Sequence, residues 1–250
     1  MTGIVPPGPL RPGSRRLDLG CGRQKPAGFV GLDRFPLPGV DVVADLERLL
    51  PFADESFDVL SSFHSLEHVA DLPGVLREIH RVARPGARIT VAGPYWAQGI
   101  HVANPYHRQN FNEHSPRFWT DAAPSPLPRF QYARPPQGEQ WGLASSDNSR
   151  PGFDLRCVGV ELFYFSEFWG LEAEELAGLR RRGFDVCEQI LFRLVAMKPP
   201  FGEAELARVR EEEFHDPPIL AERRRRAAEA PRRAFSWRRL WRNLRQLGRL

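Results

Sequence analysis

Three carboxylates and a pair of glycines near the front of the chain form the first constellation with chemical potential. Asp18-Leu19-Gly20-Cys21-Gly22 follows a short apolar run, and two further apolar runs end in Asp33 and Asp45. At the carboxyl end of a parallel sheet, two glycines let the backbone approach a ligand closely. An aspartate closing the next strand can accept both hydroxyls of a ribose, and one closing the third can accept from an adenine amino group. Asp18 can face an ammonium group, directly or through water. Each aspartate alone also reads as a turn or cap residue; three in succession behind a Gly-x-Gly turn point to a nucleoside. A dinucleotide fingerprint wants a third glycine three positions after the second, and that position is Lys25. No Gly-Lys-Ser/Thr sequence is present to cradle a phosphate. A nucleoside with an amino-acid tail fits better than one with a pyrophosphate.

Histidines form the second constellation. His64 and His68 follow the apolar run Phe57–Phe63, and His101, His107 and His114 lie in a later irregular stretch. Imidazole titrates near neutrality and can accept a hydroxyl proton. His107 is the first candidate for a base or for orienting an acceptor, and His68 the second; the plainer reading of His107 is a hydrogen bond to its own loop. His64-x-x-Glu67-His68 has the order of the inverted zinc-protease motif. Here it continues a strand, and the other histidine spacings form no recognised ligand set, so no metal is expected. Tyr95, Trp96, Tyr106, Trp119, Tyr132 and Trp141 crowd the same region, as rings to stack on a sugar or as anchors for a lid.

The elements that must position these residues alternate. Short apolar runs at Arg15–Gly20, Gly28–Asp33, Val40–Asp45, Phe57–Phe63 and Ala87–Ala92 read as strands. Val75, Leu76, Ile79 and Val82 have helical spacing, with Pro73 in the first turn and Pro85-Gly86 as the stop. Such alternation argues for a parallel sheet covered on both faces. Only eight residues, Cys21–Gly28, separate the first two strands. A parallel crossover takes about a dozen, so the first helix is expected to be lost or reduced to a turn around Pro26. Regularity thins over Gly93–Pro151, a lid or binding loop. A strand at Leu155–Phe165, a helix at Glu172–Arg182, a last strand at Cys187–Met197 and a charged helix at Glu203–Phe214 follow, with Pro217-Pro218 separating them from a basic tail.

LDLGCG, GLD, ADLERLLPF, SFDVLSSFHSLEHV and LREIHRVARPGARITVAGP, in this order from Arg15 to Pro94, resemble a class I S-adenosylmethionine-dependent methyltransferase of the type 11 kind. The resemblance implies a Rossmann-like α/β sheet, mostly parallel with an antiparallel last strand and helices on both faces. It further implies that Gly20 and Gly22 line the methionine end, that Asp33 binds ribose, and that Asp45 with the backbone of Leu46 holds adenine. Phe63 and His64 would line the pocket, and Glu67-His68 matches the family's Leu-Glu-His element. Asn104–Phe111 is similar to an Asp/Asn-Pro-x-His-x-x-x-Phe segment found after the fifth strand in related methyltransferases. The short first link is shared with a subgroup resembling cell-surface polysaccharide methyltransferases, which favours O-methylation of a saccharide or secondary metabolite. Two other classes stay open: a nucleoside-binding protein without turnover, and an NADP-dependent reductase in which Arg34 beside Asp33 reads a 2′-phosphate.

The chain has 250 residues, 42% of them apolar, enough for a substantial core. No apolar run reaches the ~18–20 residues of a membrane span. The first residues, Pro/Gly-rich, lack the apolar stretch of a signal peptide. Three widely spaced cysteines suggest neither a disulfide framework nor a zinc site, and a cytoplasmic protein is expected. The net charge of +4 hides an asymmetry: residues 222–250 hold 11 arginines and two glutamates, while the remaining 221 residues hold 24 basic and 29 acidic side chains. Phe235, Trp237, Leu240, Trp241, Leu244 and Leu247 repeat at helical spacing among arginines, the pattern of a segment lying on an anionic membrane surface; docking onto the body and a disordered tail compete with it. Nucleic acid is disfavoured by the acidic body. The expected organisation is a flexible stretch over 1–14, a methyltransferase domain over 15–200 with a lid at 95–150, and a helical extension over 201–250 whose tail, 232–250, would meet the inner membrane face.

Overall fold

The computed structural model describes residues 13–120 and 151–232; Tyr132, Trp141 and the amphipathic repeat beyond residue 232 lie outside them. Seven strands form one sheet: β1 (Arg16–Leu19), β2 (Val30–Asp33), β3 (Val42–Val43), β4 (Phe57–Phe63), β5 (Ala83–Pro94), β6 (Leu155–Tyr164) and β7 (Cys187–Ala196). Their order is β3-β2-β1-β4-β5-β7-β6. Strands β1 to β5 pair in parallel, and β7 slots between β5 and β6 antiparallel to both. The order reverses between β1 and β4, the place where such sheets open a crevice beyond their carboxyl ends.

One face carries the main core. Leu17 and Leu19 of β1, Leu60 of β4, Ile89 and Val91 of β5, and Ile190, Phe192 and Leu194 of β7 pack together there. Helix α1 (Leu72–Val82) closes it with Val75, Leu76, Ile79 and Val82, each at most 2% exposed. Asp71 caps this helix by accepting the Gly74 N–H at 2.9 Å, and Pro73 needs no partner in the first turn. The predicted stop at Pro85-Gly86 moves forward. Ala83 already pairs with Phe57, so β5 begins as the helix ends and takes Pro85-Gly86 within it. Helix α2 (Gly99–Ala103) and α3 (Ala173–Arg180) complete the middle of the chain.

The other face is mixed, with Val59, Ala92, Leu191 and Val195 set among buried polar side chains. Alternation along the strands places Arg16, Asp18, Ser61, Arg88, Thr90 and Arg193 there, and all but Arg16 are buried. No helix follows β1: residues 21–29 make turns, one closed by Phe29 N–H to the Pro26 carbonyl at 3.2 Å, as the short link requires. The C-terminal segment supplies the cover instead. Helices α4 (Glu203–Leu206) and α5 (Pro218–Glu229) run over this face. Glu213 pairs with Arg88, Asp216 with Arg193 at 2.9 Å, and Arg224 with Glu161 at 2.6 Å. Leu220 joins Ala92, Phe163 and Leu191 in a small apolar patch.

Two expectations for this segment are corrected. The predicted helix over Glu203–Phe214 is a single turn, α4, followed by a separate 3-10 turn at Glu211–Glu213. Glu213 folds back to accept the Arg210 N–H and turns inward to Arg88. Pro217-Pro218 does not part a helix from a tail; it starts α5, because proline fits a first turn whose N–H groups have no intrahelical acceptor.

Glu213→Ala should therefore cost the full chain about 3–5 kcal/mol by leaving the Arg88 guanidinium buried and unpaired, while Arg88→Met combined with Glu213→Leu should cost clearly less. Urea unfolding of the two variants checks this. Equal losses would show that the pair does not hold the segment down.

Candidate active site

The turn after β1 is shaped by its neighbours. Gly20 N–H and Cys21 N–H both donate to the Leu32 carbonyl, at 2.8 and 3.1 Å. Gly20 takes φ +70°, and a Cβ there would collide with the Ser65 side chain. Ser65, two residues past β4, donates to the Leu19 carbonyl at 3.0 Å and so ties the segment after β4 to the turn. Gly22 takes φ +52°. Its N–H donates to Asp33 Oδ2 at 2.9 Å, and Phe35 N–H donates to Asp33 Oδ1, also at 2.9 Å. The β2 carboxylate thus fastens the glycine turn while each oxygen keeps a further lone pair. Lys25, where a dinucleotide site would have glycine, reaches Asp41 at 2.6 Å; Asp41 also accepts the Gly31 N–H at 2.7 Å. Those bonds tie the helix-free link and β2 to Asp41. Asp41 and Ser65 were not legible as site residues, since each acts on partners distant in sequence.

Asp18 sits beneath this turn, buried, with Ser61 Oγ donating to it at 2.7 Å. Burial pushes its carboxyl up to about 6, against the Ser61 bond, which lowers it. The Cys21 thiol is pushed up to about 11, first by burial and then by the charges of Asp18 and Asp33, so both carboxylates flank the same turn. Asp45 follows β3, half-buried, with Oδ1 accepting the Glu47 N–H at 3.0 Å, and Leu46 beside it is buried. Asp18, Asp33 and Asp45 thus lie at or just past the carboxyl ends of three adjacent strands.

Across the switch point, β4 ends in half-buried Phe63 and then His64, whose φ of +51° swings it out of the strand. His64 Nε2 meets Gln189 Oε1 at 2.9 Å and Nδ1 meets Glu67 Oε1 at 3.3 Å. The Glu67 contact, with help from Gln189, holds this imidazole above its ordinary range despite desolvation. The loop after β5 docks on the same turn. The Glu67 carbonyl accepts the N–H groups of Arg108 (2.6 Å) and Gln109 (3.1 Å), and the Gln109 side chain donates to the Val69 carbonyl at 2.8 Å. Those bonds bring His107 over His68, their ring centres 4.8 Å apart. His107 is held below its ordinary range chiefly by burial. His101, buried, meets His107 Nδ1 with its own Nδ1 at 2.6 Å and Asn110 Oδ1 with Nε2 at 3.0 Å. His114 lies outside this cluster, ahead of the 3-10 turn Ser115–Phe118.

The aromatic residues divide. Tyr95 and Trp119 are core anchors, Trp119 packing edge-on against Phe111 and Phe192. Trp96 and Tyr106 are exposed, Tyr106 to 75%, and remain available to a ligand.

Comparison with known proteins adds to this geometry. Residues 30–91 match the family described as "Methyltransferase domain". Methyltransferase GfsG of Streptomyces halstedii is 35% identical over 104 residues, 32% of this chain and 37% of that protein. The 27-O-demethylrifamycin SV methyltransferase of Amycolatopsis mediterranei is 32% identical over 107 residues, 33% of this chain and 39% of that protein. The chain therefore aligns with under two fifths of the length of either relative. Among solved structures, a SAM dependent methyltransferase from Archaeoglobus fulgidus superposes with a TM-score of 0.43 at 15% identity, covering 73% of this chain and 86% of that one.

Buried Asp18 gives the site a pH signature. Its carboxyl has an ordinary value of 3.8 and about 6 in the fold, so across that interval the folded chain keeps a proton that the unfolded chain has lost. The contribution to stability is greatest below about pH 4 and falls as pH rises through 6, by up to roughly 3 kcal/mol. Asp18→Asn should therefore be more stable than the parent at pH 8, with the difference vanishing toward pH 4. Urea unfolding at the two pH values measures it, and a variant weaker than the parent at pH 8 would contradict the desolvation account.

Proposed function

We propose that this chain, which carries a class I S-adenosylmethionine-dependent methyltransferase domain, transfers a methyl group to an oxygen of a saccharide or secondary-metabolite acceptor. The observation that carries the reading is the glycine turn at the switch point, with one buried carboxylate under it and another fastening its rim. A carboxylate held out of water and met only by a hydroxyl is stabilised by a cationic ligand group. The ammonium of a methionine tail is such a group. Bound there, S-adenosylmethionine supplies an electrophilic methyl on a sulfonium sulfur.

In this reading Asp18 faces the amino-acid end, and Gly20 and Gly22 let the backbone close on it. Asp33 accepts from the ribose with the lone pairs that Gly22 and Phe35 leave free. Asp45 and the Leu46 backbone meet the adenine, and Phe63 and His64 wall the pocket. Methyl transfer needs the acceptor oxygen in line with the methyl and relieved of its proton. His107 and His68 are assigned to that side: burial keeps His107 neutral near pH 7, so it can take a proton. The name of one relative, the 27-O-demethylrifamycin SV methyltransferase, supports oxygen as the acceptor atom.

Calorimetric titration with S-adenosylhomocysteine and with NADPH tests the donor. S-adenosylhomocysteine alone should bind, and Asp33→Ala should weaken it at least about tenfold, the worth of hydrogen bonds to a charged group. Binding of NADPH instead, or an unchanged affinity in the variant, would sink the donor assignment; tight binding with no turnover on a panel of hydroxylated acceptors would leave a nucleoside-binding protein.

No helix among the described residues is long and apolar enough to cross a membrane. The basic, Trp-bearing sequence after residue 232 supports peripheral attachment to an anionic surface at the cytoplasmic face. The full chain should float with anionic vesicles and a chain ending at Arg232 should not. That cut keeps α5, whose arginines pair with the sheet. Equal flotation of both would remove the tail from the account.

A further inference from the structure

Glu67, His68 and His107 each offer one ligand atom, and these atoms all lie within 4.8 Å of one another. Glu67 is 1% exposed, and its Oε2 has no hydrogen-bond partner. A carboxylate oxygen enclosed and left bare is unfavourable unless positive charge sits against it. His64 meets only the other oxygen, at 3.3 Å.

The hydrogen bonds around the two imidazoles fix what they present. His68 Nδ1 lies 3.1 Å from the Tyr106 carbonyl, which can only accept, so Nδ1 carries the proton and Nε2 the lone pair. His101 Nε2 faces Asn110 Oδ1, an acceptor, so the neutral ring of His101 has its lone pair on Nδ1. His107 Nδ1, 2.6 Å from that atom, must then donate, which leaves the lone pair of His107 on Nε2. Both rings are thus oriented by second partners in the way metal-binding histidines are.

We propose that Glu67 Oε2, His68 Nε2 and His107 Nε2 bind one borderline divalent transition-metal ion of the Zn²⁺ class. Two imidazoles and a carboxylate form the donor set of sites that keep further positions open to water or substrate. The His-x-x-Glu-His order supplies only two of these ligands. The third comes from the loop after β5, which is why the spacing of the histidines hid the set and no metal was expected. His64 is not a ligand: its two nitrogens are turned to Gln189 and Glu67. The site stands on this geometry alone. Its role rests on the methyl-transfer reading, in which a hydroxyl coordinated to the ion would lose its proton to solvent more easily and His68 and His107 would serve as ligands rather than bases.

The test uses the full chain, freed of any affinity tag and stripped with chelator. Co²⁺ is titrated alone and followed by visible absorption, and Zn²⁺ is titrated by calorimetry. One ion should bind per chain. His107→Ala and Glu67→Gln should each weaken it by about a hundredfold or more, and His101→Ala by about tenfold to a hundredfold. His64→Ala, which strips a partner from the ligating carboxylate, should weaken it by about tenfold to a hundredfold as well. If Glu67→Gln unfolds by circular dichroism, His107→Ala decides, since that side chain is on a half-exposed loop. Absence of binding, or parent-like affinity in His107→Ala, overturns the proposal. S-adenosylhomocysteine affinity of the same preparations separates the two readings: ion binding without donor binding defeats the methyl-transfer account and keeps the metal site, and the reverse keeps the enzyme and removes the ion.

Discussion

A parallel sheet must be covered on both faces, and a link of eight residues cannot supply a helix. Everything unusual in this molecule follows from meeting that requirement in another way. The first crossover collapses to turns pinned by Lys25, Asp41 and the Gly31 N–H. The face it leaves uncovered is taken by residues that follow the whole sheet in the chain, α4 through α5, held by carboxylates that meet buried arginines of β5 and β7. With no helix standing over the first turn, the geometry there depends on side chains: Asp33 draws in Gly22, and Ser65 braces Leu19 beside Gly20.

That bracing connects the two halves of the site. The residue after β4 that leaves the strand with positive φ, His64, opens the turn whose Glu67 backbone accepts the loop after β5. The same few residues therefore set the edge of the crevice beyond β4 and the position of His107 over His68. A shift of the Leu-Glu-His turn would move both together.

Much of the sheet was legible because its signals are local. Strand-length apolar runs, an i, i+3, i+4, i+7 stripe in α1, and aspartates at strand ends carry their meaning within a few residues, and the motif resemblance implied a mostly parallel sheet with an antiparallel last strand. The length of the first link was enough to foresee the missing helix. What escaped was settled by distant partners. Glu203–Phe214 has the composition of a solvated helix, yet Glu213 is turned inward by an arginine 125 positions away. Pro217-Pro218 reads as a break and serves as a start. Asp41, Ser65 and the convergence of Glu67 with His107 leave no mark in the sequence, because each depends on which strand lies beside which.

The charged groups buried on the second face also bear on how the chain comes into being. Domains begin to collapse as they are synthesised, from the N-terminus onward, and here the cover for one face emerges after every strand of the sheet. Arg88, Thr90, Ser61 and Arg193 are set on that face among Val59, Leu191 and Val195, and they interrupt its apolar surface with groups that water can solvate while it waits. The polar groups of the nascent sheet can stand open to water, and the ion pairs that later bury them form only when Glu213, Asp216 and Arg224 have left the ribosome.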